Sequence, residues 1–332
     1  RGARQPGISR ARRGGVAMIR VIRWRLRAFF FLFVLLLGTA QANDLEKELI
    51  QAAVAGDLTE VVSLLDAGVD VNTRNEIGKT ALMYAAEEGH DGVVELLLSR
   101  GAYVDAQTNS GCTALQFAAE SGWDPVVRKL IELSADIGIR TRQGEDALIM
   151  AARTGKAGAI DRLIAAGADV TTTDRHGRTA LMVAAEAGYD KAVASLLAGG
   201  ADPRAADVHS TTALMLAAAA GNVVVIRMLV EGGADTEQGD DTGSTALHWA
   251  AEVGRAGAVG TLLQAGATVD ASNNEGWSAL FEAAYNGHEA VVQKLLEARA
   301  NTDLQDTAGL TAADYAHRRG HTNIEKLILQ AR

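Results

Sequence analysis

The segment Gly78 to Gly89, G-K-T-A-L-M-Y-A-A-E-E-G, returns with changes every 33 residues, and this constrains the chain more than any other feature. Its opening glycine recurs as Gly111, Gly144, Gly177, Gly243, Gly276 and Gly309, with Ser210 in the remaining place. A period of this length, held without slippage, means a stack of like supersecondary units in which each buries its apolar face against its neighbours.

Each column of the repeat has a physical reading. Thr80, Thr113, Asp146, Thr179, Thr212, Thr245, Ser278 and Thr311 stand where a side-chain oxygen can cap a starting helix. The leucines Leu82 to Leu280 follow two residues on, and an Ala-Ala pair comes three after each, from Ala85-Ala86 to Ala283-Ala284. This makes one narrow apolar helical face that allows a neighbour to approach closely. Gly89 and its equivalents through Gly320 end this short helix. A second helix carries Leu97-Leu98 and its equivalents and stops at Gly101, Gly167, Gly200, Gly233 or Gly266, with Ser134 and Arg299 replacing glycine in two repeats, where altered helix ends are expected. The remaining residues, such as 71–77, are polar and turn-rich, as a loop or hairpin would be.

On these motifs the chain resembles the ankyrin repeat family, whose pattern is G-x-T-P-L-H-x-A-A-x-x-G-H, a second helix, then G-A-D-V-N. The resemblance covers residues 45–332 and implies an all-α repeat solenoid of helix-turn-helix units joined by loops or hairpins. The expected division is a capping unit at 45–77, seven full repeats at 78–308 and a shortened cap at 309–332. Alanine stands at the family's proline throughout, from Ala81 to Ala279, and the family's histidine persists only as His248. Alanine is a good helix former, so the fold survives the exchange.

Residues 1–17 are Arg- and Gly-rich and read as an upstream extension. From Met18 run Arg20, Arg23, Arg25 and Arg27, an apolar stretch from Ala28 to Leu37, and then Thr39-Ala40-Gln41-Ala42. This is the composition of a secretory signal peptide over 18–42, with cleavage expected after Ala42. An uncleaved membrane anchor is the alternative, although the apolar run is about half the ~20 residues a spanning helix needs. The chain's net charge of −9 becomes −18 once the nine arginines of residues 1–42 are set aside. A charge of that sign argues against nucleic acid as the partner and confines membrane contact to the leader. The single Cys112 forbids an intrachain disulfide, so in an oxidising compartment stability must come from stacking. An exported protein, periplasmic in the first instance and monomeric, is the expectation.

No catalytic motif is present: the chain lacks G-x-S-x-G, H-E-x-x-H and a phosphate loop. His248 and Glu252 are spaced for a helix-surface pair, and His90, His288 and His321 follow helix-ending glycines where the family often has histidine. His176 and His209 are equivalent positions in adjacent loops, but repeats about 10 Å apart cannot share a zinc that needs ligands near ~2 Å. The loop Asp235, Glu237, Asp240, Asp241 lacks calcium-loop spacing. A protein without cofactor or metal, and not an enzyme, is therefore expected.

The resemblance implies that loop tips and the exposed residues of first helices form a concave binding groove. By position, this groove receives Arg140, Arg142, Arg153, Arg175 and Arg178 in a strongly acidic protein, with His176 and His209 beside them and Trp277 and Tyr285 further along. Arg, Trp and Tyr are enriched at binding hot spots. The expected partner is a protein whose acidic segment lies across the arginines and whose apolar side chain meets Trp277 and Tyr285. The opposing expectation is that the arginines merely pair with Asp174, Asp207 and Glu145. The column Tyr84, Phe117, Met150, Val183, Leu216, Trp249, Glu282, Tyr315 is expected to pack inside the stack, becoming exposed at Glu282.

Overall fold

The structure is a computed structural model that describes residues 44–331. The leader at 18–42, the extension at 1–17 and their expected cleavage site lie outside the described residues. From residue 44 onward the chain is a succession of short helix pairs, opening with a helix at 44–55 followed by Leu58–Asp66. First helices such as Ala81–Glu88, Ala114–Ser121 and Ala147–Arg153 stack on one another in one row, and second helices such as Asp91–Ser99 and Asp124–Glu132 in another. Within the described residues there is no extended strand, only isolated antiparallel bridges such as Arg74 to Thr80 and Thr173 to Thr179 that close the loops into hairpins. The solenoid is therefore all-α, as expected.

The Ala-Ala pairs explain the stacking. Every member from Ala85-Ala86 to Ala283-Ala284 is fully buried. With only a methyl group between facing backbones, first helices approach more closely than second helices, which meet through Val and Leu. Tighter packing on one side is the condition for a stack to curve toward its first helices.

The helix caps follow the predicted column with instructive departures. Thr80, Thr113, Thr179, Thr212 and Thr311 each accept, through Oγ1, the N–H three residues on. Asp146 does the same through a carboxylate oxygen at 2.9 Å. Thr245 instead turns its hydroxyl to His248 Nδ1, 2.9 Å away. At Ser278 the Phe281 N–H donates to the serine's own carbonyl, which leaves the hydroxyl buried without a hydrogen-bond partner.

The glycines that end the first helices from Gly89 to Gly287 are required twice over, whereas a Cβ at Gly320 would meet open space. Gly89 adopts φ 80°, and a Cβ on it would lie 2.3 Å from the Trp123 ring. After six of the helix-ending glycines the next residue reaches back one repeat to a carbonyl left free at the helix end. Trp123 Nε1 donates to Glu87 O at 2.7 Å, Asn222 Nδ2 to Ala185 O, and Arg255 Nε to Ala219 O, while His90, His288 and His321 bond Val54 O, Glu252 O and Tyr285 O. These histidines thus satisfy orphan carbonyls and knit the stack together.

Ser134, Ser210 and Arg299, the three positions that break the glycine columns, are the non-glycine residues with positive φ among the described residues, at 66°, 61° and 63°. The repeat keeps its backbone there and the side chain bears the left-handed conformation. The helix ends at Ser134 and Arg299 and the loop tip at Ser210 thus keep the ordinary backbone of the repeat but carry strain.

Candidate functional site

The loop tips are joined into one continuous edge. Asn109 N–H donates to Ile77 O, Arg142 to Ser110 O, Arg175 to Gln143 O, Val208 to His176 O, Asp241 to His209 O, Asn274 to Thr242 O and Thr307 to Glu275 O, all at 2.8–3.2 Å. Each tip is also pinned internally, because Asn75, Asp174, Asp207, Asp240, Asn273 and Asp306 each accept backbone N–H groups two and four residues on. The side chains at the tips are therefore presented from a fixed backbone.

The five arginines have different fates. Arg153 pairs with Glu145 of its own repeat and, at 3.2 Å, with Glu120 of the preceding one. Arg178 bonds Asp174 at 3.1 Å and Glu186 at 3.3 Å. Burial alone would raise Asp174, but the Arg178 and His176 N–H groups and the Arg178 guanidinium outweigh it and hold the carboxyl below its ordinary range. Arg140 folds back onto Gly144 O at 2.7 Å and onto Thr173 O, stitching two loops together. Asp207 pairs with no arginine and accepts the N–H groups of His209 and Thr211 instead. Arg142 and Arg175 remain: both are exposed, one repeat apart on the tip ladder, and neither meets a carboxylate among the described residues. Arg175 Nε donates to His176 Nε2 at 3.1 Å, and His209, also exposed, has Nδ1 3.9 Å from Asp241. Arg142 and Arg153 line a depression of about 510 Å³ with Cys112, Phe117, Glu120 and Met150.

The eight-residue column on the first helices is not uniformly interior. Met150 and Val183 are buried, whereas Tyr84, Phe117, Leu216, Trp249, Glu282 and Tyr315 are half-buried. The polar tips are tethered to their own loops: Asn75 Nδ2 donates to Tyr84 OH, Trp249 Nε1 to Asp240 and Tyr315 OH to Asp306. The column thus forms the groove floor, correcting the expectation of a core stripe. Glu282 is no more exposed than its aromatic neighbours; burial, with Glu252 and Glu275 nearby, pushes its carboxyl up to about 7.

Trp277 and Tyr285 are brought together, with ring centroids 5.4 Å apart. They also belong to a larger cluster, since Trp277 lies 4.8 Å from Tyr315 and 6.0 Å from Phe281, and Arg319 stands over Tyr285. Both rings are half-buried, so part of their surface is spent joining the last two repeats.

The remaining candidates for chemistry are structural. His248 is not on the helix surface with Glu252; it is buried, bonded to Thr245 and, through Nε2, to Trp277 O at 2.9 Å. Burial lowers its pKa, so it is held neutral. Gln116 stands in the same column and does the same work, accepting Thr113 N–H and donating to Glu145 O. In the acidic loop, Asp240 accepts from Thr242, Ser244 and Trp249, Asp241 from Ser210, and Glu237 from Thr268. Among the described residues no three His, Cys, Asp or Glu side chains stand together as metal ligands, and no helix is long and apolar enough to cross a membrane.

Two groups of groove residues escaped sequence reasoning. One is the pairing, eight positions apart within a repeat, of Lys79 with Glu87 and Arg178 with Glu186, beside the Glu145 to Arg153 pair that the opposing expectation had named. Opposite charges recurring in two fixed columns were the available signal. The other is the set Glu252, Glu275 and Glu282, whose convergence needs the stack itself.

No curated protein matches the chain. The family model described as ankyrin repeats (3 copies) matches residues 49–141, 124–207, 192–273 and 256–332. With the paired helices, the stacked alanines and the laddered loop tips, these matches identify the chain as a member of the ankyrin repeat family, a protein–protein interaction module.

Proposed function

We propose that this protein is a non-catalytic binding partner of another protein, and that an acidic segment of the partner lies along the loop tips at Arg142 and Arg175. The observation that carries this reading is the contrast among the arginines. Arg153 and Arg178 are neutralised by neighbouring carboxylates, whereas Arg142 and Arg175 are held one repeat apart on a rigid edge with their charge unmatched. Arginine forks bind carboxylates in a bidentate manner, and a preorganised pair loses little freedom on doing so. Arg153, Arg178, His176 and His209 flank the contact, and the free faces of Trp277 and Tyr285 offer an apolar anchor further along.

The basic, then apolar, then A-x-A order of residues 18–42 supports export, with the periplasm as the site of action and an envelope complex as the setting. An exported effector acting on a host protein is the second reading, and the same leader supports it. Affinity capture from an envelope extract, comparing the wild-type protein with the Arg142→Ala/Arg175→Ala variant, tests the binding face. A partner held by the wild type and lost by the variant is expected, with retention falling as salt rises. Equal retention would remove these arginines from the interface, and fractionation of cells and medium separates the two settings.

A further inference from the structure

We infer that the depression between the loop tips at Cys112 and Arg142 takes a lysine side chain of the bound partner, its stem on Phe117 and Met150 and its ammonium at Glu120. This rests on the proposed groove reading and places a basic residue beside the acidic ones.

The repeat at 78–110 contains a filled version of the same place. Lys79 on the loop tip reaches across the groove edge to Glu87 on the first helix, and its Nζ stands 4.2 Å from the Tyr84 ring centroid and 4.0 Å from that of Phe117 in the next repeat. The Lys79 side chain is only 6% exposed, so the slot accommodates a whole lysine, stem and charge together. Shifted by the 33-residue period, Lys79 becomes Cys112, Glu87 becomes Glu120, Tyr84 becomes Phe117 and Phe117 becomes Met150. All four of these residues line the depression of about 510 Å³.

The depression is the slot left open by a short side chain. The next two repeats close theirs from within, Glu145 on Arg153 and Arg178 on Glu186. Cys112 instead keeps its thiol 3.5 Å from Ser110 Oγ on its own loop tip, and Glu120 turns to Arg153 of the following repeat at 3.2 Å. Arg153 also holds Glu145, so one guanidinium serves two carboxylates and the wall of the slot keeps a negative charge. Arg142 stands on the rim and pairs with neither. An entering lysine would complete the slot as Lys79 completes its own. An aliphatic side chain would cover Phe117 and Met150 but leave the charge unmatched, and an acidic one would meet repulsion from Glu120 and Glu145. The acidic neighbour of that lysine then meets Arg142, so the recognised segment has the two signs side by side.

The test uses the intact protein at low salt and a fluorescent peptide read by anisotropy. Its two Asp are separated by two Ser, matching roughly 10 Å between successive loop tips at ~3.3 Å per extended residue. One Lys beyond each Asp offers a lysine to the slot in either binding direction. In companion peptides both Lys are replaced by Ser or by norleucine, which keeps the stem and removes the charge. The lysine peptide should bind about tenfold more tightly than either companion. Glu120→Gln, and Cys112→Lys, which fills the slot from within, should each lose that gain while still binding the serine peptide; Cys112→Ser should keep it. Because Cys112 is the single cysteine of the chain, its alkylation by iodoacetamide reports the slot directly, and saturating lysine peptide should slow it several-fold more than saturating serine peptide. Norleucine binding as tightly as lysine, a gain that survives in Cys112→Lys, or alkylation equally fast under both peptides overturns the lysine site. If Arg142→Gln/Arg175→Gln still weakens the serine peptide in that case, the groove reading stands alone; absence of binding by every peptide overturns both. Circular dichroism of each variant establishes that the fold is retained.

Discussion

Trp277 and Tyr285 occupy in their repeat the two positions that Glu145 and Arg153 occupy four repeats earlier, and both pairs close across the same eight-residue gap. One geometric slot on the groove edge is filled by an ion pair in one repeat and by two rings tilted at 57° in another. The backbone is common to all repeats, and the side chains decide whether the edge is charged, apolar or unpaired.

The left-handed residues test the glycine columns. A Cβ at Gly101, Gly167, Gly200, Gly233 or Gly266 would meet open space, so the constraint in that column is conformational and not steric. Ser134→Gly and Arg299→Gly should each stabilise the protein by about 1 kcal/mol in urea melts. Ser210→Gly should gain less, because the serine hydroxyl donates to Asp241 at 2.5 Å.

Helix caps supply a contrast between repeats. Thr113→Ala removes a working cap and should cost about 1 kcal/mol. Ser278→Ala removes a buried hydroxyl with no partner and should be neutral or slightly stabilising. A loss at Ser278 equal to that at Thr113 in thermal melts would contradict the reading of its cap.

Glu282 makes stability depend on pH. Its carboxyl has a folded-state value of about 7 against an ordinary 4.5. Below 4.5 it is protonated in both states; as pH rises toward 7 the unfolded chain releases the proton first, and stability falls. Glu282→Gln should therefore melt several degrees higher than wild type at pH 8 and at the same temperature at pH 4.

His248 has the opposite dependence. Held neutral in the fold with its value below 6.5, it contributes stability in full above pH 6.5, which is lost as pH falls and the unfolded chain takes up the proton. His248→Gln should cost under about 1 kcal/mol, because Gln116 already makes the equivalent bonds in its repeat. His248→Leu strands Trp277 O and the Thr245 cap and should cost about 1–3 kcal/mol. Denaturant titrations of both variants at pH 7.5 and 5.5 check the size and the sign.

The fold was legible because the 33-residue period, the Thr caps, the Ala-Ala faces and the αL glycines are all local features that repeat. A local rule written many times determines a stack, down to the three positions where Ser134, Ser210 and Arg299 take the left-handed backbone. The placement of Arg142 and Arg175 on equivalent loop tips was legible for the same reason. What the tertiary structure decided is which charges are spent. Arg153 is neutralised partly from the preceding repeat, Arg140 is held by donating to a carbonyl of the next loop, and Glu282 is perturbed by Glu252 of another repeat. Charges interact through space over a few ångströms, so their balance depends on neighbours that the repeat brings together but does not itself specify.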